Sequence, residues 1–279
     1  MRDAFIASIY KATEKNRNVM CLVGDIGAFL LRNYIKDFPK NYYNLGVAEA
    51  NMVGVASGLA MSGKIPFVYT ITPFVTARVY EQIKVDVCYN NANVKIVGVG
   101  AGVSYSSLGS THHSLDDFAL MRVLPNMTIL SPSDPSEVEE AVMAAASHKG
   151  SCYIRISLKT KSLSYKKDRF KIGKARTIRE GRDLAIIATG EMVGIAIEAS
   201  DILSKNGITA SVVNMHTIKP IDEALIKKLI GKNKALITIE EHGLIGGLGD
   251  SVSSIISQQP KKIKFKMMDF RINVLSEGI

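Results

Sequence analysis

Short apolar runs alternate with segments of helical periodicity along nearly the whole chain, and this alternation limits the possible folds more than any other feature. In the first half, β-branched runs such as NVMCLVG, KIPFVYTI and NVKIVGV are separated by helical patterns at about 48–62, 74–90, 115–123 and 134–147. DLAIIATG, TASVVNM, KALITIEE and KIKFKMM repeat the pattern in the second half. Continuous apolar strands between helices indicate parallel sheets covered on both faces. The sequence therefore predicts an α/β protein with two mainly parallel sheets.

The start of one helix can be located to the residue. Asp134 is a good N-cap, Pro135 suits the first helical position, and Glu137 follows three residues after the cap. This spacing predicts a helix that begins at Pro135.

Composition excludes several protein classes. A chain of 279 residues can form two domains of about 100–200 residues each. With 47% hydrophobic and 22% charged residues it differs from disordered proteins. It contains neither a bilayer-spanning apolar window nor a signal-peptide pattern at its start, so we expect a cytoplasmic protein without a membrane partner. Cys21, Cys88 and Cys152 lie far apart in apolar runs, which predicts buried thiols instead of a disulfide framework.

Positive charge is concentrated in one segment. Eleven basic and two acidic residues lie between Arg155 and Arg182, and this stretch has no sustained apolar periodicity. We interpret 158–179 as a basic linker between a domain at 1–157 and a domain at 180–279. Such a run could bind nucleic acid or phosphate, but no aromatic platform or nucleic-acid motif accompanies it, which favours a solvated connector.

Two glycine-rich stretches follow predicted strands. GVGAGVSYSSLG leads into small polar residues instead of a helix, and the spacing of GLIGGLGDSV does not fit the dinucleotide fingerprint. The second stretch opens a helix whose N-terminal amides could face an anion, although close packing of helix on strand is the preferred interpretation. No GxxxxGK[ST] motif is present, which excludes P-loop nucleotide hydrolases.

Glu49 is the only acidic residue in the segment 44–60, NLGVAEANMVGVASGLA. A carboxylate among small and apolar residues is costly to bury unless it is paired. Two explanations remain open from these residues alone. Glu49 either interacts with the helix dipole, or it is kept there for chemistry.

Three stretches of the chain resemble the transketolase family. NLGVAEANMVGVASGLAMSGKIPFVYTITPF is similar to the pyrimidine-binding domain, with its G-[IV]-A-E-x-N-M motif, and STHHSLDDFALMRVLPNMTILSPSDPSE is similar to the T-H-[QH] loop and the strand after it. The second half, from LAIIATGEMV to EEHGLIGGLGDSV, resembles the transketolase C-terminal domain. The family's preceding domain, which binds diphosphate and Mg²⁺ through a G-D-G…N motif, has no counterpart in this sequence.

This resemblance implies the C-terminal subunit of a split, thiamine-diphosphate-dependent transketolase. Such a subunit is expected to need an N-terminal partner that binds the diphosphate and provides most of the Mg²⁺ coordination, in a dimer of heterodimers. The implied reaction is transfer of a two-carbon ketol unit from a ketose, a phosphate or a modified sugar, to an aldehyde or ketone acceptor. The alternatives are a β subunit of a 2-oxo acid dehydrogenase and a non-catalytic subunit that retains the fold.

The resemblance also implies roles for cofactor-binding residues. The Glu49 carboxyl would hydrogen-bond N1′ of the aminopyrimidine and stabilise the imino tautomer, which removes the thiazolium C2 proton. Phe74 corresponds to the aromatic residue that stacks on the pyrimidine, and Ile71 takes the place of a second aromatic residue. Asp25 lies where the family has a cofactor-contacting aspartate at the subunit junction.

Four further residues are implied to bind the substrate. Arg2 and Arg155 lie near arginines that hold the sugar phosphate in transketolases, although either could be a surface cation. His112 matches the histidine of the T-H-[QH] loop, which faces substrate hydroxyls and can shuttle protons near neutral pH. His113 is its neighbour.

We expect no metal site on these histidines. Adjacent histidines point in different directions, and Asp116 and Asp117 begin a predicted helix, where acidic residues are favoured.

One departure from the family concerns substrate choice. Where pentose-phosphate transketolases carry a histidine and an acid before the T-H-[QH] loop, this sequence has Gly100 and Leu108. We therefore expect a different substrate, a larger or modified sugar such as a nucleotide-linked ketosugar.

Overall fold

The computed structural model describes residues 1–158, 160–165 and 168–270. Lys159, Lys166 and Lys167 of the predicted linker and residues 271–279 of the predicted second domain lie outside them. The strands are β1 (Val19–Val23), β2 (Tyr42–Asn44), β3 (Ile65–Ile71), β4 (Lys95–Val99), β5 (Thr128–Leu130), β6 (Cys152–Ile156), β7 (Arg176–Arg179), β8 (Leu184–Ala188), β9 (Ala210–Asn214), β10 (Thr217–Lys219), β11 (Ala235–Ile239) and β12 (Lys264–Met268).

Helices connect most of these strands. They are α1 (Arg2–Lys15), α2 (Arg32–Asp37), α3 (Glu49–Met61), α4 (Thr72–Val75), α5 (Tyr80–Gln82), α6 (Asp117–Arg122), α7 (Pro135–Ser147), α8 (Met192–Lys205), α9 (Glu223–Lys232) and α10 (Leu248–Ser257). Short 3₁₀ turns occur at Pro39–Asn41, Ala77–Val79 and Ser106–Leu108, and Ile83–Tyr89 is π-helical. Among the described residues, no helix is long and apolar enough to cross a lipid bilayer.

The first sheet has the strand order β10-β5-β6-β4-β3-β1-β2. Every pairing in it is parallel except that of β10 with β5. All side chains of β1, β4, β5 and β6 are buried, as expected for strands covered by helices on both faces. One buried apolar cluster on this sheet contains Phe5 and Phe67 against α1 and α7, and another contains Met52 and Val68 against α3.

The second sheet has the order β12-β11-β8-β9-β7, with β7 as an antiparallel edge strand and all other pairings parallel. Together the two sheets confirm the predicted fold class, an α/β chain with two mainly parallel sheets flanked by helices. The strand β7 lies within the segment predicted as a linker.

The predicted start of α7 is confirmed. Asp134 Oδ1 accepts the backbone N–H of Glu137 at 2.9 Å, and Pro135 is the first helical residue. The single helix predicted at about 74–90 is wrong, because the backbone leaves helical geometry at Thr76 (φ −120°, ψ −82°) and at Val79 (φ −121°, ψ 25°). Both residues are β-branched, which lowers helix propensity.

A strand and an arginine from the second half join the two halves of the chain. β10 pairs with β5 of the first sheet. Arg176 of β7 is buried and donates to Oε1 of Glu137 at 2.6 Å and to both carboxylate oxygens of Glu140 at 2.9 Å. This arginine of the basic segment is therefore held in an ion-pair network on α7 instead of being solvated.

The glycine-rich stretch after β11 packs closely, as preferred from the sequence. The buried Glu240 carboxylate accepts the backbone N–H groups of Leu248 (2.6 Å) and Gly249 (2.7 Å), so the chain's own acid satisfies the N-terminus of α10. A Cβ on Gly249 would lie 2.6 Å from Sδ of Met267, which requires glycine at this helix–strand contact.

All three cysteines are buried and free, as predicted. Burial raises the pKa of the Cys21 and Cys152 thiols to about 12, so neither forms a reactive thiolate near neutral pH.

Candidate active site

The candidate site lies at the carboxyl edge of the first sheet, where the loops after β1, β3 and β4 meet the start of α3. Ligands bind at this edge in open α/β sheets. Gly24 follows β1 directly, and a Cβ there would lie 3.6 Å from Cγ of Glu49. The loop after β1 and the start of α3 are therefore in contact.

Glu49 is the first residue of α3, and its side chain is only 3% exposed. Nη1 of Arg78 donates to its Oε2 at 3.0 Å, while the Arg78 side chain itself is 46% exposed. A buried carboxylate needs such a cation or a hydrogen-bond donor to offset its desolvation. The pair places a solvent-reachable positive charge directly over the buried acid.

Phe74 lies in the single turn α4 and is half-buried. The Arg78 guanidinium carbon is 3.9 Å from the centroid of the Phe74 ring, which is a cation–π contact. The His112 ring meets the same phenyl ring edge-on, with centroids 5.1 Å apart and an interplanar angle of 67°. Glu49, Arg78, Phe74 and His112 thus form one contiguous cluster.

His112 and His113 belong to the loop between β4 and α6. Nδ1 of His112 lies 2.9 Å from Oγ1 of Thr111, and Nε2 of His113 lies 3.4 Å from the backbone oxygen of Ser106. Both rings are half-buried, but only His112 contacts Phe74. The structure therefore brings His112 to the cluster, whereas His113 faces the body of its own loop.

Tyr105 fills the space that glycine leaves at position 100. Gly100 has φ 78°, and a Cβ there would lie 2.0 Å from Cε2 of Tyr105. The Tyr105 ring also approaches His112, with centroids 6.0 Å apart. Gly100 is the first of the two positions that depart from the family pattern. The ring of Tyr105 thus occupies the space where the family has a histidine or acidic side chain. Leu108, at the second position, is half-exposed on the same loop.

The other predicted cofactor residues flank the cluster. Ile71 is the half-buried last residue of β3, directly before α4. Asp25 is exposed, has φ 53°, and exchanges hydrogen bonds with Asn44: its N–H donates to Oδ1 at 3.0 Å, and its Oδ1 accepts from Nδ2 at 3.2 Å. The Asp25 carboxylate is therefore turned towards β2 and not towards Glu49.

The charge of Arg2 acts on Tyr105. Burial raises the pKa of the Tyr105 phenol, and the nearby charge of Arg2 opposes that shift. Arg2 is 3.8 Å from the Asp3 carboxylate and remains half-exposed, so its guanidinium is accessible to an anion.

Arg155 has a different environment from Arg2. It is 4% exposed, and its Nε donates to Oδ2 of the fully buried Asp117 at 2.7 Å, while Nη2 donates to the backbone oxygens of Ser114 (3.2 Å) and Glu241 (2.8 Å). Burial acts to raise the pKa of Asp117, but the charges of Arg155 and His242 and the hydrogen bonds from Arg155 and Tyr153 together outweigh burial, so the pKa is lowered. These contacts do not favour Arg155 as a substrate ligand, and that role stays a prediction.

Two residues at the candidate site, Arg78 and Tyr105, were not found from the sequence. Arg78 follows Phe74 by four residues within the segment predicted as one helix, where this spacing would bring the two side chains together, and Glu49 in its apolar segment needed a cation. That signal was available. Tyr105 gave no comparable signal, because only the three-dimensional contact with Gly100 reveals its position.

Comparison with known families assigns both halves of the chain to one family. The family model described as transketolase, pyrimidine binding domain, matches residues 1–160, and the model described as transketolase, C-terminal domain, matches residues 173–270. The chain belongs to the transketolase family. Its two matched regions contain the first and second sheets, apart from β10, which comes from the second region and pairs in the first sheet.

Several relatives of this transketolase chain are themselves separate subunits. A 6-deoxy-6-sulfo-D-fructose transketolase subunit from a Clostridium species is 36% identical over 92% of this chain and 81% of its own length. A subunit of the apulose-4-phosphate transketolase from Phocaeicola vulgatus is 37% identical over 94% of this chain and 85% of its own length. A solved structure described as a split gene transketolase, inactive beta4 tetramer, superposes with a TM-score of 0.89 at 34% identity, covering 97% of this chain and 88% of that chain. This transketolase chain is thus the C-terminal subunit of a split enzyme of the transferase class.

Proposed function

We propose that this chain supplies the pyrimidine-binding half of a thiamine diphosphate site to a ketol-transferring enzyme completed by a separate N-terminal partner. The observation that carries the proposal is the buried Glu49 carboxylate beside the half-buried Phe74 ring, at the carboxyl edge of the first sheet. A buried acid with an adjacent aromatic face suits a flat, nitrogen-containing ring.

The residues present fit the pyrimidine portion of the cofactor. In this proposal Glu49 hydrogen-bonds the ring nitrogen, Phe74 and Ile71 contact the ring faces, and Asp25 contacts the cofactor at the subunit junction. When bound, thiamine diphosphate supplies the nucleophilic carbon that accepts the two-carbon unit of a ketose. The low-dielectric surroundings of Glu49 strengthen its single hydrogen bond and so favour a defined proton position.

In this proposal Arg78 turns away from Glu49 when the cofactor binds. Its guanidinium pairs with the carboxylate and also covers Phe74, so it occupies both surfaces that the proposal gives to the pyrimidine. Since the side chain is 46% exposed, it can turn towards solvent without rearrangement of the core.

We assign the substrate side of the site to the loop after β4 and to the start of α1. His112 exchanges protons with substrate hydroxyls, and His113 and the accessible Arg2 bind more distant groups of the sugar. The Tyr105 ring occupies the space of a side chain at position 100, and this difference from the family pattern supports a donor other than the common pentose phosphates. The names of two relatives refer to 6-deoxy-6-sulfo-D-fructose and to apulose-4-phosphate, which supports a modified ketose.

A partner subunit is supported by exposed apolar residues in the loop after β1 and in the loop before α3. Phe29 and Val47 are 76% and 75% exposed, and a Cβ on Gly54 or Gly58 of α3 would meet nothing within 4 Å. Large apolar side chains with this much exposure are expected at an interface. The split-gene relative is described as inactive when it forms a beta4 tetramer, which supports the proposal that the partner, which also provides the Mg²⁺ site, is required. We propose a heterotetramer.

The test is a donor screen on the chain co-expressed with its N-terminal partner. Ketose donors, including sulfonated and phosphorylated ones, are compared with 2-oxo acids in the presence of thiamine diphosphate and Mg²⁺. Turnover of a ketose supports the proposal. Turnover of 2-oxo acids alone supports the dehydrogenase-like alternative, and no turnover with any donor supports the non-catalytic one.

A further inference from the structure

The segment after β11 docks the second domain against the active-site loop. We define residues 240–249 as the docking segment. The N–H of Gly243 donates to the backbone oxygen of Leu115 at 2.7 Å, and Nη1 of Arg122 donates to the backbone oxygen of Gly247 at 2.8 Å. The segment thus lies directly on the chain that follows His112 and His113.

Glu241 in this segment reaches the base of the loop. It is 7% exposed, and its Oε1 accepts the N–H of Val103 at 3.2 Å. A Cβ on Gly102 would lie 2.1 Å from Oε2 of Glu241. The carboxyl group of the second domain is therefore pressed against the backbone of residues 102 and 103.

The loop that Glu241 contacts is closed on itself. Gly102 and Ser114 exchange both backbone hydrogen bonds, at 3.1 and 2.8 Å. Residues 102–114 consequently form a loop closed at one base. This loop presents His112 to Phe74 and holds Tyr105 beside His112. A side chain that restrains the Gly102–Ser114 pair therefore also restrains the positions of the Tyr105 and His112 rings.

The base has free space on the side of Glu241. A cleft of about 430 Å³ lies there, lined by Val103, Ser104, Leu158, Glu191, Met192 and Glu241. The cleft leaves Val103 and Ser104 without close packing on this side. The hydrogen bond from the Val103 N–H to Glu241 is therefore the contact that restrains them here.

We infer that Glu241 is a positioning residue through which the C-terminal domain holds the loop 102–114 in its active-site geometry. This inference rests on the proposed function, since it assigns a role in the same site. Glu241 does not touch the cluster around Glu49; it acts through Val103 and Gly102.

Hydrogen exchange on the chain alone tests the inference without any need for activity. Glu241→Ala is expected to speed exchange of amides in residues 102–114 by about tenfold, since a buried hydrogen bond is lost. Glu241→Gln keeps a carbonyl oxygen for the Val103 N–H and is expected to retain most of the protection. Glu198→Ala, on the exposed face of α8, is the control. Unchanged exchange in Glu241→Ala would overturn the inference.

Two glycines provide a matched second test. Gly102 (φ 61°) and Gly109 (φ 73°) share a left-handed backbone, but an added Cβ meets Glu241 only at position 102. Gly102→Ala should therefore speed loop exchange more than Gly109→Ala does, and the difference should vanish in a Glu241→Ala background. A difference that persists in that background would contradict the inference.

The activity readout uses the complex with the N-terminal partner. Glu241→Ala is expected to lower kcat by about tenfold at unchanged cofactor affinity, with recovery in Glu241→Gln. Equal kcat in Glu241→Ala and the unaltered complex would overturn the role in positioning. If the unaltered complex itself shows no ketol transfer, the proposed function fails, while the exchange experiments still decide whether Glu241 holds the loop.

Discussion

Arg78 donates a hydrogen bond to the buried Glu49 carboxylate at 3.0 Å from a position over the face of Phe74. One flexible side chain thereby connects the two residues that the family resemblance assigns to the pyrimidine. We expect the pair to stabilise the free chain and to open when the cofactor binds.

Arg78→Met should destabilise the chain by about 1–2 kcal/mol, because it leaves a buried carboxylate without its cation while the arginine itself was half-exposed. Urea denaturation measures the change in the free energy of unfolding. Arg32→Met, which removes an exposed arginine 5.0 Å from the exposed Phe29 ring, is the matched control. In a Glu49→Gln background the cost of Arg78→Met should shrink; an equal cost in both backgrounds would contradict the pairing.

Tyr105→Ala should lower kcat/KM for the ketose donor by about tenfold, because His112 loses the aromatic ring beside it. Tyr105→Phe keeps the ring and should stay near the unaltered value. Leu108→Ala, half-exposed on the same loop, provides the control. If Tyr105→Phe were as impaired as Tyr105→Ala, the phenol and not the ring would be the important group.

Glu49 and the start of α7 could be predicted from the sequence. A lone acid in an apolar segment marked Glu49, and cap chemistry marked the start of α7, because both signals are local. β10 could not be predicted, since three residues before a proline acquire strand geometry only by pairing with β5. Likewise, the burial of Arg155 depends on Asp117, which lies 38 residues away and meets it only in the folded chain.

The two arginines predicted to bind substrate should behave differently on mutation. Arg155→Met breaks a buried ion pair and should destabilise the chain by about 3–5 kcal/mol. Arg2→Met should change the free energy of unfolding by less than about 0.5 kcal/mol. Arg2 is half-exposed, and its ion pair with the exposed Asp3 is long, at 3.8 Å, and therefore weak. Urea denaturation and donor KM are measured for both. A stable Arg155→Met variant with only a raised KM would support substrate binding by Arg155.

Stability should depend on pH through Glu241. Burial, together with the neighbouring Glu191, raises the pKa of Glu241 from 4.5 to about 8, against the opposing effects of the Val103 N–H and Arg155. The folded state therefore holds a proton that the unfolded chain has lost, and this contribution to stability is present below pH 4.5 and disappears as the pH rises through about 8.

The corresponding measurement is the free energy of unfolding of the unaltered chain and of Glu241→Gln from about pH 5 to about pH 9. The unaltered chain should lose stability relative to the variant as the pH rises, since glutamine does not titrate. Parallel curves for the two proteins would show that Glu241 is ionised throughout this range in the folded state.

The most direct test of the central claim is ketol transfer by the complex of this chain with its N-terminal partner, carrying Glu49→Gln. Glu81→Gln, an exposed acid on α5, serves as the control, and size-exclusion chromatography verifies assembly. We expect Glu49→Gln to assemble normally and to lose at least about 100-fold in turnover, the scale of a lost acid–base group, while Glu81→Gln stays active. Turnover near the unaltered level in the Glu49→Gln complex would contradict the account.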